Sequence, residues 1–437
     1  MTPSARLAAA VEILGQIDDA LAHRGAAADV LIKRYFQKRR YAGSKDRAAI
    51  IDLVYGVLRR RGEYGWRLMS AGLPITPLML ALMHLRMDGP LAADLFEGTY
   101  APEAPSDDAI SRFDRAVGLE NPPLAARLNV PQWLSDRLEA RYGDDVTAQI
   151  DALSGRAPTD LRVNTLKTSR EDALAALADA GIKAEPTPYS PVGIRLEKNS
   201  QIKGLELFSK GLVEVQDEAS QIAVQLCGAA PKAQVLELCA GAGGKTLALG
   251  AQMNNSGQIY ALDTDKRRLD ELKIRTDRAR QTNLQIHRLT SGEDKRADQL
   301  YRFLGQMDLV IVDAPCSGSG TWRRNPELRW RLDEDALAEA VAIQRALLRE
   351  AMTLAGPNGR IAYMTCSILQ EENENVIDHA LSESEDWELA DYHRKLEDLG
   401  LVHLPESVSS APEMLQMTPL QHGTDGFFLA LLQKVPD

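Results

Sequence analysis

Two cysteines fifty residues apart each close a hydrophobic run. Cys316 ends Asp308-Leu-Val-Ile-Val-Asp-Ala-Pro-Cys, and Cys366 ends Arg360-Ile-Ala-Tyr-Met-Thr-Cys. The 437-residue chain has only four cysteines. Two of them fall where a parallel sheet builds its site, just beyond the carboxyl ends of its strands. A thiolate is a strong nucleophile, so the pair points to thiol chemistry. The other two, Cys227 and Cys239, read as small buried hydrophobes. The four spacings fit neither a disulfide framework nor a zinc site. No metal is expected, and free thiols fit a reducing, cytoplasmic setting.

A second constellation lies upstream. A strand runs into Leu236-Glu-Leu-Cys-Ala-Gly-Ala-Gly-Gly-Lys-Thr. Gly241, Gly243 and Gly244 permit a tight turn and close approach of a ligand at a helix N-terminus. The next strand ends in Asp263, an acid placed to accept hydrogen bonds from both hydroxyls of an adenosine ribose. The loop lacks the four-residue gap of a P-loop and the glycine spacing of a dinucleotide fingerprint. S-adenosylmethionine, which has no phosphates to cradle, fits better than ATP or NAD. Its candidate contacts are Cys239, Ala240, Gly241, Ala242, Gly243, Gly244, Lys245, Asp263 and Asp313.

The elements that must position these residues are legible from periodicity. Strands are expected at 235–238, 258–263, 284–289, 309–312, 361–365, 387–390 and 427–432, with helices between them, which predicts a parallel, doubly wound sheet. Before it, Leu161-Arg-Val-Asn and Gly193-Ile-Arg-Leu read as strands around a helix from Arg170 to Ala180, a small α+β module. Residues 5 to about 90 repeat apolar residues at helical spacing. A Pro- and Gly-rich stretch from Asp88 to Pro123 closes that region. The expected domains are therefore an all-α domain at 1–127, the module with a linker helix at 128–210, and the Rossmann-like α/β domain at 211–437.

Composition is that of an ordinary globular chain, 44% hydrophobic and 26% charged. No apolar run reaches the roughly 18 residues of a membrane span, and the N-terminus does not read as a signal peptide. A net charge of −11 argues against coating nucleic acid by bulk electrostatics, though not against a local basic face. Two segments supply one. Residues 33–47 carry seven cations, Arg39 and Arg40 among them, against Asp46. Residues 323–331 carry Arg323, Arg324, Arg329 and Arg331 against Glu327.

The motifs together resemble a known family. Cys239-Ala-Gly-Ala-Gly-Gly-Lys-Thr, Asp313-Ala-Pro-Cys-Ser-Gly-Ser-Gly, Arg323-Arg-Asn-Pro-Glu and Thr365-Cys-Ser-Ile look like the RsmB/Sun family of RNA cytosine-C5 methyltransferases. Val215-Gln-Asp-Glu-Ala-Ser-Gln and Gly423-Thr-Asp-Gly-Phe-Phe match further family motifs. The resemblance runs from about Leu128 to the C-terminus. The helical N-terminus, with Gly56-Val-Leu-Arg, looks more loosely like the NusB-like RNA-binding domain of the bacterial ribosomal-RNA branch.

The resemblance implies a class I methyltransferase sheet with S-adenosylmethionine as cofactor. RNA, and 16S ribosomal RNA in particular, is the implied partner, and a monomer without membrane attachment is expected. It implies that Cys366 attacks cytosine C6 and Cys316 assists release. Asp313 holds the base, and Lys245 lowers a thiol pKa or orients the base. It assigns Arg323, Arg324, Arg39 and Arg40 to RNA. Transfer RNA as substrate, or a non-catalytic assembly role, are the alternatives. Two positions depart from the family pattern. Ala242 replaces the usual proline. The acid expected near the adenine is missing, leaving Thr290 or Ser291 there, or Glu293 or Asp294 to reach in. Arg162 and Asn164 either fix the module or touch substrate, and Asp425 and Phe428 are expected to organise the last strand and the pocket wall.

Overall fold

The computed structural model describes residues 1–197, 202–290, 292–401 and 403–435. They divide into two compact units. One is Met1–Gly155 with Trp322–Asp333, and the other is Arg156–Thr321 with Glu334–Asp437.

The first unit is helical. Pro3–Ala22, Ala28–Lys38, Ser44–Ser70 and Pro77–Asp88 are its principal helices. Thr2 and Thr76 cap two of them, accepting from the Ala5 and Met79 amides ahead of a first-turn proline. Leu7, Ile13, Leu14, Ile50, Val54, Leu58 and Leu80 form its core. The expected boundary after residue 127 moves. Gln132–Tyr142 and Val146–Ala152 belong to this unit, and so does Trp322–Asp333, which lies within the range expected for the α/β domain. Arg329 is the physical reason. It is fully buried, donates to the carbonyls of Leu128 and Leu153 and to the Ser154 hydroxyl, and stacks 4.7 Å over Trp322.

The second unit holds two sheets. Strands β1 (Thr159–Val163), β2 (Ala184–Pro186), β3 (Gly193–Leu196) and β4 (Val213–Val215) form an antiparallel sheet in the order β2-β3-β1-β4. Helix Arg170–Asp179 buries Ala173 and Leu177 in this module's core. Because β4 pairs with β1, the module extends past the expected boundary at 210.

The larger sheet comprises β5 (Gln234–Glu237), β6 (Gln258–Asp263), β7 (Leu284–Arg288), β8 (Met307–Asp313), β9 (Ala355–Thr365), β10 (Trp387–Leu389), β11 (Leu415–Met417) and β12 (Phe427–Lys434). Its order is β10-β12-β9-β8-β5-β6-β7, with β11 on β12. The pairs β9-β8-β5-β6-β7 are parallel, as expected. β12 is not: it runs antiparallel to β9, β10 and β11. A parallel neighbour needs a crossover of a dozen or more residues, and β11 turns back into β12 over nine. The chain leaves β5 in both directions, so the switch point lies between β5 and β8, where open sheets bind ligands.

Candidate active site

Four loops meet beyond the carboxyl ends of β5, β6, β8 and β9. In the loop after β5 the Ala240 amide donates to Leu262 and the Gly243 amide to Ala240. Gly241 and Gly243 have φ of +56° and +83°, a region glycine enters without the steric cost of a Cβ. A Cβ on Gly243 would lie 2.0 Å from Leu272, whereas one on Gly241 would meet nothing within 4 Å. Gly241 therefore faces open space, a cradle for a ligand. Two arginines, Arg162 buried and Arg275 half-buried, fix the loop. Arg162 donates to the Gly244 carbonyl at 2.6 Å and to Gln216, and Arg275 donates to the Ala242 carbonyl at 2.7 Å. The Arg275 bond holds the loop where the family's proline is absent. Burial pulls the Arg162 guanidinium down to about 10. Asn164 donates to the Gly211 and Ala279 carbonyls, so Arg162 and Asn164 both tie the module to the sheet.

Asp263 accepts from the Gly241 amide with one carboxylate oxygen and from the Asp265 amide with the other, both at 2.8 Å. Each oxygen keeps a lone pair for a ribose hydroxyl. The glycine cradle, this acid and the first turn of helix Gly244–Gln252 suit a nucleoside whose ribose hydroxyls reach Asp263. Cys239 lines the same loop as an inert thiol, pushed up to about 12 by burial first and by Asp313 next. Cys227 is buried, its sulfur donating to the Ala223 carbonyl. At the missing acid, the Thr290 hydroxyl and amide both donate to the Gln299 side chain, which donates back to Arg288. Ser291 and the side chains of Glu293 and Asp294 lie outside the described residues.

The thiols meet. β8 and β9 are neighbours, with Asp313 opposite Met364, and the Cys316 and Cys366 sulfurs stand 3.4 Å apart. The interaction with Cys366, burial, and the Glu372 charge hold the Cys316 thiol well above its ordinary value, so it stays protonated near neutral pH. Lys245 donates to Asp313 at 2.6 Å and lies 5.2 Å from the Phe427 ring centre. Burial pulls the Lys245 ammonium down, but Asp313, Cys366 and Glu237 outweigh it and the net shift is upward. It remains a cation beside the thiols. Phe428 is core and packs on Tyr363, and the Asp425 amide donates to Asp217. Both organise the last strand, as expected.

The four RNA candidates differ in exposure. Arg323 is buried (6% exposed), which takes its guanidinium off the surface, and Arg324 is half-buried. Arg39 pairs with Glu12 at 2.6 Å and stacks on Tyr35. Arg40 is exposed beside Tyr41, with Lys33, Arg34, Lys38 and Lys45 exposed nearby in sequence.

Sequence reasoning missed three polar residues. Glu237 is fully buried, accepts from Thr246, and is pushed up to about 8 chiefly by burial. Glu372 and Asn373, also fully buried, bond to the backbone and hydroxyl groups around the two cysteines. The acid-rich run Gln370-Glu-Glu-Asn-Glu, so close after Cys366, was the available signal.

A glycine cradle at the switch point of a largely parallel sheet, an acid closing β6 and paired thiols just beyond β8 and β9 define a Rossmann-like methyltransferase. Comparison with known proteins agrees. The family description "16S rRNA methyltransferase RsmB/F" matches residues 225–433, and the ferredoxin-like domain of RsmF/B-like methyltransferases matches 130–203. The probable ribosomal RNA small subunit methyltransferase B of Synechocystis is 31% identical, covering 94% of this chain and 96% of that protein. The ribosomal RNA small subunit methyltransferase B of Proteus mirabilis is 29% identical over 89% of this chain and 91% of its own. Among solved structures, that of PH0851 is 26% identical, covers 99% of both chains and gives a TM-score of 0.77. A methyltransferase homologue from Pyrococcus horikoshii is 27% identical, with a TM-score of 0.61 over 71% of this chain and 97% of its own. The chain belongs to the RsmB/F methyltransferase family.

Proposed function

We propose that this protein transfers a methyl group from S-adenosylmethionine to C5 of a cytosine in 16S ribosomal RNA, through a covalent bond to Cys366. The carrying observation is the pair of sulfurs 3.4 Å apart on adjacent strands, beside the Lys245–Asp313 ion pair and the glycine cradle.

Cytosine C5 is a weak nucleophile. Addition of the Cys366 thiolate to C6 makes C5 enamine-like. The target base must first leave its stack. Asp313, still 30% exposed although paired to Lys245, accepts a hydrogen bond from the base's amine. The Lys245 ammonium, which Asp313 and Cys366 help keep charged, stands beside the attacking sulfur. Gly241, Gly243, Gly244 and Asp263, with Cys239, Ala240 and Ala242 completing the loop, would hold S-adenosylmethionine, whose sulfonium supplies an electrophilic methyl group. After transfer, a water molecule takes the C5 proton, the C5–H electrons re-form the C5–C6 double bond, and the C6–S bond breaks to release Cys366 as a thiolate. Cys316 carries the S–H nearest that sulfur and serves release by donating a hydrogen bond to the departing thiolate.

RNA reaches the helical unit at the exposed cations Lys33, Arg34, Lys38, Arg40 and Lys45, with Tyr41 (72% exposed) available for stacking. Arg39 and Arg324 stand at the margin of any such contact. Four free cysteines suit the cytoplasm, and the chain acts as a monomer. No described helix is long and apolar enough to cross a membrane. Methyl-transfer assays on 16S and transfer RNA fragments test the reading: 5-methylcytosine is expected in the ribosomal fragment, and methylation confined to transfer RNA would overturn the substrate assignment.

A further inference from the structure

We propose that Glu372 and Asn373 form a positioning clamp that sets the two catalytic sulfurs at their working separation, one residue for each cysteine. The inference rests on the roles assigned to Cys316 and Cys366 above.

Glu372 is fully buried. Its carboxylate accepts from the Ser317 amide at 2.7 Å, the Ser317 hydroxyl at 2.5 Å and the Gln344 amide at 3.0 Å. Gln344 also donates to the Pro315 carbonyl at 2.9 Å. Cys316 is thereby gripped on both flanks. Asn373 repeats the arrangement around Cys366. It accepts from the Thr365 hydroxyl at 2.6 Å and donates to the Ser367 carbonyl at 3.0 Å and to Gln416 at 2.8 Å. The two loops are laced together. Ser319 and Ser367 hydroxyls lie 3.0 Å apart, the Ile368 amide donates to Ser319, and the Gly320 amide donates to the Cys366 carbonyl. The Tyr363 hydroxyl fixes the clamp itself by donating to the Glu372 carbonyl at 2.7 Å.

A burial of this kind is costly unless every lone pair is used. Glu372 spends its charge on two amides and a hydroxyl that define one loop. The Glu372 carboxylate and the Cys366 sulfur face Cys316, with Tyr363 the other titratable neighbour. Packing alone would need no carboxylate there.

Two readouts on the full-length protein test the clamp. The first needs no RNA: closure of the Cys316–Cys366 pair by diamide. The azo bond takes up both thiol hydrogens, becoming a hydrazine, and leaves a disulfide. Glu372→Gln and Asn373→Ala are each expected to slow closure about tenfold, and Ser317→Ala severalfold, with circular dichroism unchanged. The second is single-turnover adduct kinetics on an rRNA fragment. Asn373→Ala is expected to slow adduct formation and Glu372→Gln to slow its breakdown, a split that general loosening would not produce. Wild-type closure rates in Glu372→Gln and in the milder Ser317→Ala overturn the clamp. Slowed closure without the split overturns the one-residue-per-cysteine clamp where Cys316→Ala still traps the adduct, and overturns the separate roles of the cysteines where Cys316→Ala traps none.

Discussion

Glu237 offers a quantitative test of the electrostatics beneath the cofactor loop. It is fully buried at the end of β5, and its carboxyl is raised from 4.5 to about 8. Burial dominates. The Thr246 hydroxyl and Lys245 oppose it, and Asp313 adds to it. Between pH 4.5 and about 8 the folded chain therefore holds a proton that the unfolded chain has released. Stability falls as pH rises through that window. At about 1.4 kcal/mol per unit, the cost accumulates to about 3 kcal/mol by pH 7. A protonated Glu237 leaves the Lys245 charge to Asp313. Glu237→Gln keeps the shape and the acceptor for Thr246 but does not titrate. The stability of this variant minus that of the native protein is expected to grow by about 3 kcal/mol from pH 5 to pH 7.5. Urea unfolding across that range, with hydrogen exchange of β5 and β8 reporting on the second unit, measures the difference. A difference that is flat, or that shrinks as pH rises, would show Glu237 ionised and refute the reasoning.

Other consequences are equally direct. A Cβ on Gly320 would lie 2.0 Å from the Gly426 carbonyl oxygen, and neither backbone can yield. Gly320→Ala is expected to lower the stability of the second unit by about 2 kcal/mol and to slow diamide closure of the thiols; native melting and closure would contradict this. Asp263→Asn turns an amide towards a backbone N–H that now meets an oxygen. Calorimetry should show S-adenosylmethionine binding weakened about 10- to 100-fold, and unchanged affinity would remove Asp263 from the site. Replacing Lys38, Arg40 and Lys45 by glutamine is expected to reduce the slope of log K against log salt for RNA binding by about 2, whereas the same slope would place the RNA elsewhere.

Much of the second unit was legible because each signal is local. β3 and β6 have the ends that periodicity assigned, and the glycine loop and Asp263 fall where their spacing placed them. Strand direction is not local. Alternating strands and helices implied one direction throughout, and the short β11, which turns β12 back, has only three residues to announce it. The segment 323–331 read as basic surface, yet Arg329 is fully buried on backbone carbonyls and Arg323 is covered too. A charge run carries no record of which side chains the fold will enclose. The clamp was invisible for a related reason. Glu372 reaches Ser317 across 55 residues, and only the pairing of β8 with β9 brings them together.

In the proposed reaction one sulfur attacks and the other releases. The most direct measurement is the denaturant-stable protein–RNA adduct formed on a 16S rRNA fragment with S-adenosylmethionine. Cys316→Ala should accumulate it, and Cys366→Ala should form neither adduct nor 5-methylcytosine. Full methylation by Cys366→Ala, or an adduct that persists without Cys366, would contradict the account.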